Sequence, residues 1–320
     1  MCLSYPFNEL KPNMNSVHFP RLMFALCIAL TCFGTDASGQ NRMASRDTLP
    51  FQLTPSNNLL LQAVINAKDT VTLMFHTAAS GITLIADASD KMPSVSWNRS
   101  EEVTSWGGTS QAKVSTGNDL QIASLRWDSL TIWQNENSGP GSDGKFGPDL
   151  FEGKAVEINY DQRYLVIHQD LPEIAKNFEK IAMTRDGDMF FVEGTCRIND
   201  NVYPNLFLIH SGYGGTILFD DAFAANHNMS AQIPVYDEQK LKDSYGNEII
   251  VKKGLIPEFV LGQTTFTELP AGFFEGAIGR QKVSVLGGNL LKRFNWIFDQ
   301  SRAFVYLSPN KQANLAFTNN

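Results

Sequence analysis

Cysteine is scarce in this sequence and poorly placed for cross-linking. Cys2, Cys27 and Cys32 lie near the amino terminus, and Cys196 stands alone in the body of the chain. Once an N-terminal segment is lost, no intrachain disulfide can form, so stability must come from a packed core. Cys196 itself, in an apolar stretch, reads as a small buried hydrophobe. Clusters of positive charge are missing too. The 26 Lys and Arg are outnumbered by 33 Asp and Glu, giving a net charge of -7, and both signs are dispersed. A phosphate-neutralising face is therefore excluded, and with it a nucleic-acid partner. There is no Gly-x-Ser-x-Gly elbow, no His-Glu-x-x-His pair and no Gly-rich phosphate loop.

Long hydrophobic runs are absent as well. The one marked apolar run, Leu22 to Gly34 behind Arg21, is too short to span a bilayer but has the length of a signal-peptide core. Ala37, Ser38 and Gly39 follow it, which predicts cleavage before Gln40 and removal of residues 1–39, with Met14 a more natural start than Met1. Neither Cys27 nor Cys32 follows the small residues that lipid attachment requires. The expectation is a periplasmic or secreted protein with no membrane span after signal removal; the lack of disulfides favours a bacterial periplasm.

What remains is rich in material for a core. At 43% hydrophobic and 11% aromatic residues the chain is globular in composition, and 320 residues suffice for two lobes. Short Val, Ile, Phe and Leu runs alternate with Asn, Asp, Gly and Ser clusters, the pattern of strands and turns. It predicts strands at 59–65, 70–75, 125–133 and 155–159. In the second half it predicts them at 189–198, 206–210, 248–251, 258–261, 295–299 and 303–307. Helix is expected only near 171–181, 220–226 and 290–294. Asp143 to Gly147 (DGKFG), after the Gly- and Ser-rich stretch 137–142, reads as a turn before a strand.

The most informative feature is an internal repeat. Leu59 to Leu84 aligns with Phe190 to Leu218: a strand, a polar turn, a second strand, then a small-residue loop opening with histidine. Phe146 to Ile167 aligns with Gly287 to Leu307, each having Gly, Leu, an apolar strand ending in Asp-Gln, then Arg and a last strand. Two copies in the same order imply two related lobes, expected as 40–180 and 181–320, with the His loops facing each other across a pseudo-twofold axis.

These repeats resemble the pepsin-like and retropepsin-like aspartic proteases, in which each half runs an apolar strand into Asp-Thr-Gly or Asp-Ser-Gly. The first copy here is Phe75-His76-Thr77-Ala78-Ala79-Ser80, and the second is Ile209-His210-Ser211-Gly212-Tyr213-Gly214-Gly215. The later Gly-Leu, helix, strand and Asp motif resembles Gly147 to Asp161 and Leu286 to Asp299. Ser105-Trp106-Gly107-Gly108-Thr109 resembles the tip of the hairpin flap, with Trp106 in place of the usual Tyr. The resemblance covers roughly residues 49 to 310 and implies an all-β, two-lobed pepsin-like fold. It further implies that His76 and His210 hold the positions of the catalytic aspartates, and that Thr77 and Ser211 brace the loops. Ligand contacts are implied at Trp106, Gly107, Gly108, Gly212 and Tyr213. Ala78 departs from the motif's glycine, and its Cβ is expected to crowd the loop.

Two carboxylates sharing one proton perform the family's chemistry, one activating water while the other protonates the substrate. Histidines reverse the sign of that field, so ordinary aspartic protease activity is expected to be lost. The leading expectation is an inactive homologue that binds a peptide or other ligand in the interlobe cleft, without cofactor or metal. The alternatives are a hydrolase using the His76/His210 pair or a metal bound by it, and a structural, partner-binding protein with a vestigial cleft. A stable metal site wants a third ligand, and neither His168 nor His227 maps to the pair.

Overall fold

The structure, a computed structural model, describes residues 46–105, 108–242, 248–274 and 281–317. In the first half the strands are β1 (Arg46–Pro50), β2 (Gln52–Leu53), β3 (Leu59–Ile65), β4 (Asp69–Phe75), β5 (Ile82–Ile85), β6 (Arg99–Ser105), β7 (Gly108–Ile122), β8 (Leu125–Asn135), β9 (Gly144–Phe146), β10 (Ala155–Asn159) and β11 (Tyr164–His168). The second half contributes β12 (Glu179–Asp186), β13 (Met189–Ile198), β14 (Asn201–His210), β15 (Ile217–Leu218), β16 (Val235–Lys242), β17 (Glu248–Leu261), β18 (Thr264–Phe273), β19 (Ser284–Gly287), β20 (Phe294–Phe298) and β21 (Phe304–Pro309).

The repeat read in the sequence is a repeat of barrels. Strands β3-β4-β9-β5-β8-β7 are neighbours in that order, and β7 pairs back onto β3. Strands β13-β14-β19-β15-β18-β17 have the same order, and β17 pairs back onto β13. Closure leaves each six-stranded barrel few open edges, which removes the exposed backbone donors that invite aggregation. One further strand extends each barrel, β6 beside β7 and β16 beside β17. A third layer joins the halves: β1-β11-β10 from the first and β20-β21-β12 from the second form one six-stranded stretch of sheet. Its seam is the β10–β20 pair, with Val156 opposite Phe298 and Ile158 opposite Trp296. The expected lobe boundary after residue 180 falls within β12.

Alternation builds the cores. Along β13 the buried side is Phe190, Val192, Gly194, Cys196 and Ile198, the period of two that a pleated strand imposes. Cys196 lies in that core, and burial pushes its thiol up to about 12. In the first barrel Phe75, Phe146 and Phe151 pack at centroid distances of 5.4 to 6.3 Å. Each such ring withdrawn from water stabilises the fold by about 1.5–3 kcal/mol.

Three local expectations are corrected. The helix expected near 171–181 is a single 3-10 turn, Glu173–Asn177, entered through Pro172, and from Glu179 the chain is strand β12. Pairing of Glu179 to Ala182 with β21 outweighs local helix propensity there. The strands expected at 248–251 and 258–261 are one continuous strand, β17, whose ladder passes from β16 to β13 along its length. The helix expected at 290–294 is the turn Gly288–Leu291, and Phe294 already belongs to β20. By contrast, the helix expected near 220–226 is present as Asp221–Asn226, with the Asp220 carboxylate accepting from the Phe223 N–H at 2.7 Å.

Candidate functional site

Strand β4 ends at Phe75 and β14 ends at His210, so the two small-residue loops leave corresponding places in the two barrels. There the loops are cross-braced. The Thr77 N–H donates to Ser211 Oγ at 3.0 Å, and the Ser211 N–H donates to Thr77 Oγ1 at 2.9 Å. Each hydroxyl then donates onward, Thr77 to the Ile209 carbonyl at 2.7 Å and Ser211 to the Phe75 carbonyl at 2.8 Å. Four hydrogen bonds thus satisfy two buried hydroxyls and two buried N–H groups. Their twofold pattern fixes one loop against the other.

The brace brings the histidines together, with ring centroids 4.5 Å apart and planes inclined by 59°. Their orientations are set locally. The Ala78 N–H donates to His76 Nδ1 at 3.2 Å, and the Tyr213 N–H donates to His210 Nδ1 at 2.9 Å. An imidazole that accepts at Nδ1 carries its proton on Nε2, so both rings are held as the neutral Nε2–H tautomer. Burial lowers both pKa values, that of His210 to about 3 and that of His76 well below the usual range. Mutual repulsion and the Lys145 ammonium add to the effect at His76, and Lys145 contributes at His210 as well. Among the described residues neither Nε2 has a hydrogen-bond acceptor.

Gly212 is needed for its lack of a side chain: a Cβ there would come within 2.2 Å of His76 Nε2. Ala78 corrects the expectation that its Cβ would crowd the loop. It is buried in an apolar cluster with Leu208, Leu218 and Val285, so the extra carbon has packing partners. Tyr213 folds back over its own loop, its ring against Gly215 and Gly287, and burial raises its phenol. Gly108 opens β7 opposite Ser105 in the hairpin. Trp106 and Gly107, the expected tip, lie outside the described residues. His168 sits in the joining sheet, bonded to Glu157 at 2.9 Å, and His227 packs on Tyr203 and Phe223; neither reaches the pair.

Two features were missed in the sequence. Residues 144–146 of the stretch taken for a turn are strand β9 between β4 and β5, and Lys145 is 8% exposed at its centre. A charged residue between Gly144 and Phe146 masks a strand whose neighbours are distant in sequence. Asn57 and Asn58 were also passed over. Asn58 donates to the Ser211 carbonyl at 3.0 Å and Asn57 to the Gly214 carbonyl at 2.7 Å, while Lys292 Nζ donates to Asn57 Oδ1 at 2.8 Å. They clamp the second loop from the first barrel. Their only sequence signal is a Ser-Asn-Asn turn before β3 that has no partner in the second repeat.

Among solved structures the chain is similar to an aspartic proteinase from Irpex lacteus. The two share 12% identity, the match covers 86% of this chain and 100% of that one, and the TM-score is 0.56. The paired barrels and joining sheet therefore define the two-lobed pepsin-like aspartic protease fold, which the likeness shows as a fold. No protein-family model and no curated protein matches the sequence.

Proposed function

We propose that this is an exported, aspartic-protease-like protein without peptidase activity, which binds a peptide in extended conformation at the junction of its barrels. In this reading His76 and His210 stand where proteases of this fold carry their two aspartates. The observation that carries it is the pair of backbone N–H bonds into the two Nδ1 atoms. Activating water requires a group that can accept a proton, and each ring already holds its proton on Nε2 while Nδ1 is taken. Shifting the proton to Nδ1 would set two N–H groups against each other. The same bonds oppose a metal at Nε2, and so weigh against a histidine-dependent or metal-dependent hydrolase. Peptide binding rests on the retained hairpin β6–β7, which can offer backbone hydrogen bonds to a strand-like ligand. Export rests on Arg21 and the apolar run after it.

The test is cleavage of a mixed peptide library from acidic to neutral pH by the wild type and by the His76→Asp, His210→Asp double variant. The wild type is expected to be silent. The double variant is expected to gain acid-dependent cleavage, because the brace would then hold two carboxylates close enough to share a proton. Wild-type cleavage that disappears on changing either histidine would sink the inactive reading in favour of histidine chemistry.

A further inference from the structure

The two barrels are alike strand for strand, so a place where one is filled and the other is open stands out. The ladders set the correspondence. Phe75 and Ile209 each precede a histidine, and they lie opposite Phe146 and Leu286. Across the next pair of strands Phe146 faces Ile82 and Leu286 faces Ile217. One strand further, Thr83 faces Trp133 and Leu218 faces Gly272. Trp133 in the first barrel thus matches Gly272 in the second.

The indole fills its place. Its ring lies over the first His loop, where a Cβ on Gly81 would come within 2.8 Å of it, and its N–H donates to Glu101 Oε2 at 2.9 Å. At the matching place glycine has no side chain, and the loop from His210 to Ile217 is one residue longer than that from His76 to Ile82. Here the space is shared between the Tyr213 ring and a cleft of about 30 Å³, lined among others by Tyr213, Gly215, Thr216, Tyr236, Pro270 and Gly272.

The Tyr213 hydroxyl opens into that cleft. It lies against Gly215 and 3.5 Å from where Gly272 would carry a Cβ, and both glycines line the cleft. Among the described residues it has no hydrogen-bond partner, and burial keeps the phenol protonated. Thr216 Oγ1 is already engaged, accepting from Asn289 Nδ2 at 3.1 Å. Pro270 adds an apolar wall. Tyr213 is also the residue whose N–H orients His210, so the cleft and the histidine junction share one loop. The volume has room for about two waters, which suits the few atoms of a Ser or Thr side chain and is too small for Leu or Phe.

We propose that this cleft is a specificity pocket for the bound peptide, taking a Ser or Thr side chain whose hydroxyl bonds to the hydroxyl of Tyr213. The proposal rests on the peptide-binding reading and adds which side chain the peptide carries at this place. A phenol both donates and accepts, as an aliphatic hydroxyl does, so the two are complementary. Val has the shape of Thr but would leave the phenol enclosed and unpaired.

The test uses pools of labelled peptides, random at every position but one, which is fixed in turn as Thr, Ser, Val or Leu; binding is read by anisotropy. At one position the Thr pool is expected to bind the wild type about three- to tenfold more tightly than the Val pool, the yield of one hydrogen bond, and Leu to bind worst. In Tyr213→Phe the Thr-to-Val ratio at that position should fall to about one, since the variant removes only the hydroxyl. If that variant does not fold, a nuclear Overhauser contact between the bound Thr methyl and the Tyr213 ring decides instead, and its absence overturns the proposal. Equal binding of the Thr and Val pools at every position overturns the pocket and leaves peptide binding standing, as does a Thr preference that survives in folded Tyr213→Phe. If no pool binds at all, the peptide-binding reading fails and the pocket falls with it.

Discussion

At the residue scale, the hydroxyls of Thr77 and Ser211 show how little chemistry is needed to lock two loops. Each accepts one N–H and donates to one carbonyl across the pseudo-twofold axis. Removing one hydroxyl strands a buried N–H on the other loop, and an unsatisfied buried donor costs about 1–3 kcal/mol. Thr77→Val and Ser211→Ala should therefore each lower unfolding free energy by that amount in urea titrations. The double variant should lose less than the sum, because the two changes dismantle one network. Additive losses would mean the hydroxyls act independently.

The histidines carry a second prediction at this scale. Burial depresses both pKa values in the folded state from the ordinary 6.5, that of His210 to about 3. The unfolded chain then takes up protons that the folded one refuses. Stability from this source is complete above pH about 6.5 and is lost as pH falls towards about 3, at up to about 1.4 kcal/mol per pH unit for each ring. His210→Asn, whose side-chain oxygen can still accept the Tyr213 N–H, should flatten the slope between pH 7 and pH 5. An unchanged slope would show that His210 titrates normally in the folded protein. Both histidines, Thr77 and Ser211 were legible because residue identity and a repeated loop mark them. Lys145 was not, because the strand that buries it, β9, is completed by β4 and β5, which are distant in sequence.

At the scale of elements, strands whose partners are next in sequence were legible and those completed from afar were not. Strands β3, β10 and β13 fall where the apolar runs lie, since both faces of the pattern appear in one short window. Glu179 to Ala182 carry no such pattern, and it is the distant β21 that pairs them into a strand. The Asp-Gln-…-Arg turn is legible twice over, for Arg163 and Arg302 both take left-handed backbone, φ 59 and 57. In the second copy the turn became a clamp. Buried Arg302 donates to the Lys154 carbonyl at 2.8 Å and the Phe151 carbonyl at 2.9 Å, fastening the β20–β21 turn to the first half. Arg302→Met should cost about 2–5 kcal/mol, as loss of several charged hydrogen bonds to buried carbonyls does. The denaturation midpoint should drop with an unchanged slope. A loss under about 0.5 kcal/mol would place the clamp among surface contacts of little consequence.

At the scale of the molecule, the duplication in sequence announces two lobes but not how they are joined. The joining sheet takes three strands from each half, and neither half can complete it. Its seam is short and buried: Val156, Ile158, Trp296 and Phe298 are all nearly inaccessible. Separate barrels linked only by chain would unfold as separate units, whereas barrels sharing a sheet must break the seam before either is free. Calorimetry of the wild type should therefore give one transition, with van't Hoff and calorimetric enthalpies in agreement. Val156→Asp puts an unpaired charge opposite Phe298, a cost that falls on the seam and leaves each barrel's own ladder intact. Two resolved transitions are expected in that variant, the barrels then melting independently. If the wild type already melts in two steps, the shared sheet does not couple the lobes, and the loop brace at Thr77 and Ser211 is left to align the two histidines on its own.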